Sequence, residues 1–384
     1  MQTSLVCIPL LLRICALFRL LSHILPVSGL VPLVAESAYA ERSQTYMTGT
    51  VIPVSDTENH TQPAVRPAVV AIGGDARQAA VIRTLSGAGY KVSAVGLGNA
   101  EGLPAGVRMY TQLSRAMADI SIGALTAPEV SLPGVLLLPL PVSRDGETVF
   151  CPLDPEVHVT LGEVADRMVA CPGWLLLGGR LPADFTDRLA RTCGQDRIMD
   201  YYEREDVQIR NARITAEGAV MTAMELTDTA ILSGHMAVVG YGRIGRFLAG
   251  ILRGMGADVT VCARRGETLA QAACDGNRIL RLTGAKEDLF TLCHGYDVIY
   301  NTVPAPLFSL GVMEAMDDRT LLVDLASAPG GVDAEAARLF LEQGAVRTAR
   351  PRMVRVPSIP GRYAPEAAGQ VIADAVLDIL RGGA

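Results

Sequence analysis

The segment from His235 to Arg265, HMAVVGYGRIGRFLAGILRGMGADVTVCARR, constrains the fold more than any other part of the sequence. An apolar strand leads into glycines at G-x-G-x-x-G spacing, then into a helical pattern and a second apolar strand. The first glycine allows a tight turn, the second lets backbone N–H groups approach a pyrophosphate, and the third lets helix and strand pack closely. The phosphates then sit at the helix N-terminus. This predicts a dinucleotide site on Gly240, Gly242, Arg243, Ile244 and Gly245.

The end of the second strand bears on the choice of cofactor. Many such strands end in Asp or Glu, which holds the ribose 2′-hydroxyl of NAD, but this strand ends in Ala263, Arg264 and Arg265. A carboxylate would repel the 2′-phosphate of NADP, whereas an arginine can clamp it through charge-assisted hydrogen bonds. The sequence therefore favours NADP over NAD. The alternative is a pair of solvated arginines at a strand end.

A second strand–glycine–helix unit opens at PAVVAIGGDARQAAVIRTLSGAGYKVSAVG. The strand ends at the glycine turn Gly73-Gly74, and Asp75 is a plausible N-cap of the helix that follows. Arg77 and Gln78 place a cation and an amide near the same strand end, where a doubly wound sheet opens its cleft. We expect Asp75, Arg77 and Gln78 on the substrate side, with Arg77 as a candidate carboxylate clamp. An ordinary surface arginine is the alternative.

Strands alternate with helical patterns through both halves of the chain, which predicts an α/β fold of two Rossmann-like parallel-sheet domains with a cleft between them. The hydrophobic share of 49% and charged share of 19% suit such a fold. A crossing helix is expected from Ile214, a late strand at Ala345–Thr348 and a last helix at Pro365–Leu380. We predict an N-terminal extension over residues 1–65, a substrate-side domain over 66–213, an NADP-binding domain over 214–349 and a C-terminal segment over 350–384 that packs back across the domains.

The N-terminal extension does not conform to the rest of the chain. Its first part, Met1–Ala40, is apolar and ends in a signal-peptidase-like AYA, but Arg13 and Arg19 interrupt the apolar run. The longest charge-free stretch, Leu20–Ala35, falls short of the ~18–20 residues that a membrane-spanning helix needs. We expect the extension to be disordered and translation to start near Met47. A genuine export or anchor signal is the alternative.

Bulk features exclude several classes of function. The net charge is −6 and the arginines are dispersed, so we expect no nucleic-acid partner and no membrane partner. The eight cysteines form no C-x-x-C pair and show no zinc-type spacing with the histidines, so no metal is expected. Scattered thiols of this kind are typical of a reducing cytosol.

Two further strand ends, NTVPAP and DLASAPGG, are expected to border the nicotinamide. No histidine is poised for catalysis, and no Ser/His/Asp or Cys/His arrangement is legible. The general base therefore stays unassigned, with Glu203, Glu205 and Asp324 as candidates. Asp324 fits a purely structural role equally well. The cofactor contacts expected from these turns are Asn301, Thr302, Val303, Pro304 and Ser327.

The combination of IGGDARQ, GYGRIG with ARR, NTVP, DLASAPGG and IPGRYAPEAAGQVIAD resembles the A-subunit family of bacterial dipicolinate synthases. The likeness runs from about Ala68 to Leu380. It implies oxidation of a ring derived from 4-hydroxy-tetrahydrodipicolinate to pyridine-2,6-dicarboxylate, with NADP⁺ as acceptor. It further implies a flavoprotein-like partner, the B-subunit of the synthase, and a cytoplasmic location in the mother cell of a sporulating bacterium.

A dicarboxylate substrate needs cations at two ends, and Arg77 and Arg362 are the candidates. Two positions depart from the family pattern: Ala328 replaces a common basic residue, and Glu366 a common lysine, both on loops expected to rim the cleft. If those cations normally meet substrate carboxylates, this chain must use Arg362 or Arg352 instead.

Two alternative functions remain open on the sequence. A two-domain 2-hydroxyacid dehydrogenase shares the plan, but it normally carries a His–Glu or His–Asp pair late in the chain, and no histidine follows His294. The other is an NADP-binding scaffold protein without chemistry of its own. In either case we expect an oligomer.

Overall fold

The computed structural model describes residues 66–125, 134–284, 286–347 and 353–382. The predictions for residues 1–65, including a translation start near Met47, lie outside these ranges, and so does Arg352. Within the described ranges, no helix combines the length and apolarity needed to cross a membrane.

The first half of the described chain forms a six-stranded, wholly parallel sheet in the order β3-β2-β1-β4-β5-β6. Its strands are β1 (Ala68–Ile72), β2 (Val92–Val95), β3 (Arg108–Tyr110), β4 (Gly134–Leu137), β5 (Leu175–Gly178) and β6 (Ile198–Asp200). Its helices are α1 (Ala76–Gly87), α2 (Leu113–Leu125), α3 (Leu161–Ala170) and α4 (Ala183–Cys193), with a short 3₁₀ turn at Gln195–Arg197. The central strands are fully buried, as expected of a parallel sheet covered on both faces.

The second half repeats this architecture in the order β12-β11-β10-β7-β8-β9. Its strands are β7 (His235–Val239), β8 (Asp258–Ala263), β9 (Arg278–Arg281), β10 (Val298–Asn301), β11 (Leu321–Asp324) and β12 (Met353–Arg355). Its helices are α6 (Arg243–Gly254), α7 (Gly266–Cys274), α8 (Lys286–Leu292), α9 (Leu310–Glu314) and α10 (Ala334–Arg347). The prediction of two Rossmann-like parallel sheets is confirmed.

A single long helix, α5 (Glu205–Leu226), connects the two sheets. Val207 and Ile214 belong to the hydrophobic core of the first sheet, whereas Ala216 and Val220 belong to that of the second. The helix starts earlier than Ile214, the start expected from its apolar spacing. Its first two turns carry exposed charged residues, so the apolar spacing did not reveal them. The change of core falls between Ile214 and Ala216, beside the predicted domain boundary.

The C-terminal segment returns to the first sheet through α11 (Ile359–Tyr363) and α12 (Pro365–Leu380). Apolar residues of α12 lie in the same core as those of α1. The approach is close at Gly369, where a Cβ atom would stand 2.5 Å from the Cβ of Ala80 and 2.6 Å from the carbonyl oxygen of Arg77. Only a residue without a side chain fits that crossing.

The prediction of a strand at Ala345–Thr348 is wrong. Helix α10 continues to Arg347, and the strand of this region is β12, farther along the chain. Gly344 directly before the expected strand is a common helix-stop signal, but the helix continues through it and meets no proline before Pro351. Strand β3, which no sequence pattern indicated, completes the edge of the first sheet.

Candidate active site at the carboxyl edges of the sheets

The two glycine turns occupy equivalent positions in the two sheets. Gly73 follows β1, which lies between β2 and β4, and Gly240 follows β7, which lies between β8 and β10. These are the points where the strand order reverses. In open α/β sheets, ligands bind outside the carboxyl ends of the strands at such points. The topology therefore predicts ligand sites at these two edges.

The glycine turn after β7 has the shape that a dinucleotide pyrophosphate requires. Gly240 has φ of +92°, and a Cβ there would stand 2.4 Å from Oγ1 of Thr302. At Gly245 a Cβ would lie 2.2 Å from the carbonyl oxygen of Gly240, so the helix packs directly on the turn. At Gly242, the N-cap of α6, no atom beyond the adjoining residues lies within 4 Å of a built Cβ. The space before the helix N-terminus is thus open to a phosphate, and the residues present fit the cofactor.

The end of β8 carries free positive charge. Arg264 and Arg265 are both exposed. Nε of Arg265 lies 3.4 Å from Oε1 of Glu267, but both side chains are more than two-thirds exposed, so this ion pair is weak. Arg264 has no acidic partner within the described ranges. The pair is available to a phosphate, and preference for NADP stays a prediction.

Arg243, the first residue of α6, is bonded to Glu205, the first residue of α5. Its Nε donates to Oε1 of Glu205 at 2.8 Å, and Nη2 donates to the other carboxylate oxygen. This hydrogen bonding raises the pKa of Arg243 and lowers the pKa of Glu205. The helix that connects the sheets is therefore tied to the phosphate-binding turn by an exposed ion pair.

Asp324 organises the turn after β11. The carboxylate is 1% exposed and accepts hydrogen bonds from Nδ2 of Asn301 at 2.8 Å and from the backbone N–H of Gly331 at 3.1 Å. The backbone N–H of Ala326 donates to it as well, and Nε of Arg355 lies 3.8 Å away. These contacts are those of a structural carboxylate, while its role as a catalytic base stays a prediction.

The residues expected to border the nicotinamide come from two adjoining strand ends. Thr302 donates its hydroxyl to the carbonyl oxygen of Val239, which fixes the turn after β10 against the glycine turn. Val303 donates its backbone N–H to Oδ1 of Asn301, and Pro304 follows. Ser327 lies exposed on the turn that Asp324 organises. The fold thus brings the predicted cofactor residues to one edge.

Arg77, beside the glycine turn of the first sheet, is buried and paired, whereas a substrate clamp would need a free guanidinium. Arg77 is 5% exposed, and its Nε and Nη2 donate to the two carboxylate oxygens of Asp75 at 2.9 and 2.8 Å. Nη2 also donates to the carbonyl of Leu140, and Gln78 is buried with its amide on the carbonyl of Leu137 at 3.2 Å. The three residues tie β1 to the end of β4. A direct contact with substrate stays a prediction for each of them.

Helix α11 lies against this ion pair. A Cβ at Gly361 would stand 2.8 Å from Nε of Arg77 and 2.9 Å from Oδ2 of Asp75. The next residue, Arg362, is exposed and makes no ion pair within the described ranges. Arg362 thus follows directly after a residue that packs on the ion pair, and its role as a carboxylate clamp stays a prediction.

The two positions that depart from the family pattern have different surroundings. Ala328 is exposed on the turn after β11, next to Ser327. Glu366 was expected on a loop, but it lies in the first turn of α12, because Pro365 starts that helix directly after α11. Its carboxylate pairs with Arg83 of α1. Glu366 thus joins two helices of the first domain.

The three candidates for the general base differ in availability. Glu203 is exposed, and its carboxylate makes no hydrogen bond within the described ranges. Glu205 is engaged by Arg243, and Asp324 by several donors. Glu203 alone among these three has a carboxylate free to accept a proton.

A His–Asp pair is present in the second domain, between Nδ1 of His294 and Oδ1 of Asp317 at 3.0 Å. His294 precedes β10 and Asp317 precedes β11, so both residues lie at the amino ends of these parallel strands. The glycine turns lie at the opposite edge. The pair therefore has no place in the candidate active site.

The sequence analysis missed two arginines at the carboxyl edges of the two sheets. Arg355 ends β12, and its Nη2 donates to the carbonyl oxygen of Pro329 at 3.0 Å. Arg180 follows β5 with φ of 58° and lies over the ring of Tyr202, 5.2 Å from the centroid. The GGR turn after an apolar strand was the only signal for Arg180, and a left-handed arginine is not visible in a sequence.

Comparisons with known proteins agree with this architecture. Residues 68–194 match the family model of the N-terminal domain of the dipicolinate synthase A-subunit. The A-subunit of dipicolinate synthase from Bacillus subtilis is 28% identical over 315 residues, covering 81% of this chain and 95% of the relative. The crystal structure of the A-subunit of dipicolinate synthase from Bacillus halodurans matches with a TM-score of 0.66 and 28% identity, over 82% of this chain and 97% of that one. A D-lactate dehydrogenase from Treponema pallidum, 16% identical over 83% of this chain and 98% of its own, shares the fold with a TM-score of 0.51.

The fold and the glycine cradle formed by Gly240, Gly242 and Gly245 define a two-domain Rossmann-like protein with a turn open to a dinucleotide pyrophosphate. Within that class, the resemblance to the dipicolinate synthase A-subunit family that the motifs indicated is confirmed by family model, curated relative and solved structure together.

Proposed function

We propose that this chain is the NADP-dependent component of a dipicolinate synthase, which oxidises a ring derived from 4-hydroxy-tetrahydrodipicolinate to pyridine-2,6-dicarboxylate. The observation that carries the proposal is the similarity to the Bacillus subtilis A-subunit over 95% of that relative's length, with the glycine cradle intact. A likeness restricted to the N-terminal domain would have left the cofactor domain free to serve another reaction.

The preference for NADP rests on the end of β8. Arg264 and Arg265 are exposed there, and the strand ends without a carboxylate that would hold a free 2′-hydroxyl. Glu267, in the first turn of α7, pairs only weakly with Arg265 and can turn away into solvent. Two cations without a strand-end anion complement a phosphate.

The reaction removes two hydrogens from a dihydropyridine ring once water has been lost. When bound, the nicotinamide accepts two electrons and one proton. A second proton must leave the ring, and Glu203 is the free carboxylate proposed to take it. Aromatisation supplies much of the driving force, so the remaining residues need mainly to hold the ring in place.

The proposed biological setting follows the same similarity. A flavoprotein-like B-subunit would be the partner, in the cytoplasm of the mother cell of a sporulating bacterium. The larger assembly would also account for exposed apolar side chains such as Met224 and Leu232.

The test is an assay of the purified chain with NADP⁺ and the lysine-pathway precursor, with and without the B-subunit, read by the absorbance of the pyridine product. Product from this chain by itself assigns catalysis to it. A different result would make this chain a scaffold: product forms only when both proteins are present, and it still forms when Gly242→Val abolishes cofactor binding by this chain. Absence of product in every combination contradicts the proposal.

A further inference from the structure

We propose that Arg180 binds a carboxylate of the substrate at the carboxyl edge of the first sheet. The inference rests on the proposed function, since it takes the ligand to be a small ring dicarboxylate. It also reassigns a role, because Arg77, the clamp expected from the sequence, is buried against Asp75.

The backbone of Arg180 is held in a conformation that arginine rarely adopts. Its φ is 58°, in the left-handed region that favours glycine. Asp200, at the end of β6, fixes the turn by accepting the backbone N–H of Arg180 at 3.1 Å, of Leu181 at 2.7 Å and of Tyr202 at 2.8 Å. Strain of this kind persists where the surrounding structure enforces it, and it concentrates at ligand sites.

The side chain is prepared for an anion. The guanidinium lies over the ring of Tyr202, 5.2 Å from its centroid, which restricts its motion. Arg180 is exposed and forms no ion pair within the described ranges. The carboxylate of Asp200 is occupied by backbone donors. The charge of Arg180 is therefore oriented but not neutralised.

The position of Tyr202 connects Arg180 with the cofactor edge. Nδ2 of Asn211 on α5 donates to the Tyr202 hydroxyl at 3.3 Å. Helix α5 is in turn tied to the phosphate turn through the ion pair of Glu205 with Arg243. Tyr202 thus links the turn that carries Arg180 to the helix that pairs with Arg243. Glu203, the proposed proton acceptor, is the next residue.

The experiment uses the full chain with NADPH and measures binding of pyridine-2,6-dicarboxylate by calorimetry. Arg180→Gln should weaken binding about tenfold or more, because a charge-assisted hydrogen bond is lost. Arg180→Lys, which keeps the charge but not the planar fork, should fall between. Arg188→Gln on the outer helix α4 is the matched control and should bind as the wild type does. NADPH affinity should be unchanged in all three.

A second variant separates binding from folding. Arg180→Gly relieves the left-handed strain, so its melting temperature should equal or exceed that of the wild type. It should nevertheless bind pyridine-2,6-dicarboxylate as weakly as Arg180→Gln.

The outcomes distinguish this inference from the proposed function. Turnover to the pyridine product with binding indifferent to Arg180 would overturn the inference and leave the function standing. Absence of turnover, with dicarboxylate binding that depends on Arg180, would overturn the proposed synthase function and leave Arg180 as a carboxylate-binding residue. If the wild type neither turns over the precursor nor binds the dicarboxylate, both are wrong.

Discussion

Asn301 and Asp324 occupy paired positions at the ends of two adjacent parallel strands, and the amide of Asn301 donates to the carboxylate of Asp324 at 2.8 Å. Both side chains are buried. The bond joins the turn after β10, which contacts the glycine cradle, to the turn after β11, which carries Ser327. A buried carboxylate is tolerated here because amide and backbone N–H groups satisfy it.

Asn301→Ala should lower the free energy of unfolding by about 1–3 kcal/mol, because the buried carboxylate of Asp324 loses a donor. Asp324→Asn should lower the free energy of unfolding at least as much, because the new side-chain NH₂ group would face donors that now bind the carboxylate oxygens. Urea denaturation measures both. Asp184→Asn, on the exposed first turn of α4, is the control and should change little. Equal stability of all three variants would show that the pair is not structural.

Gly331→Ala should also destabilise the protein, by about 1–3 kcal/mol, because the added Cβ would stand 1.8 Å from Nδ2 of Asn301. Gly250→Ala is the matched control, inside α6, where no atom beyond the backbone of the helix itself lies within 4 Å of the new Cβ. That change should stabilise by about 0.5–1 kcal/mol through higher helix propensity. Opposite shifts in the urea midpoint are expected, and shifts in the same direction would contradict the packing at Gly331.

Replacing Arg264 and Arg265 together with alanine should weaken NADP⁺ binding about tenfold or more, since each charge-assisted hydrogen bond contributes roughly 1.5–3 kcal/mol. NAD⁺ binding should be nearly unchanged, because NAD⁺ has no 2′-phosphate. Fluorescence titration with both cofactors measures this. Gly242→Val is the control that should harm both alike, since its side chain would fill the open space at the helix N-terminus. Equal weakening of both cofactors by the double alanine variant would make the arginines structural.

Glu203→Gln should lower kcat by about 10²–10⁴ with little change in cofactor affinity, as expected of a lost proton acceptor. Glu205→Gln should behave differently: it frees Arg243 from its ion pair, so cofactor binding should tighten modestly while kcat persists. Steady-state kinetics with parallel cofactor titrations separates the two. A large kcat loss confined to Glu205→Gln would transfer the base to that residue.

The sequence determined the architecture and the phosphate turn because both depend on local patterns. Apolar runs between helical patterns predicted two parallel sheets, and the spacing of Gly240, Gly242 and Gly245 predicted a cradle that the backbone forms. The last helix, Pro365–Leu380, was predicted at its observed bounds. Proline and glycine act on the chain directly around them, so a sequence displays their effect.

Only the tertiary structure decided which charges are free. Arg77 and Arg180 both follow glycine turns at strand ends, and nothing local distinguishes them. Burial against Asp75, beneath Gly361 from the far end of the chain, neutralises the first. Asp200 on a neighbouring strand forces the second into a left-handed turn over Tyr202. Pairing between residues distant in sequence sets the electrostatics of a cleft, and that pairing exists only once the sheets have formed.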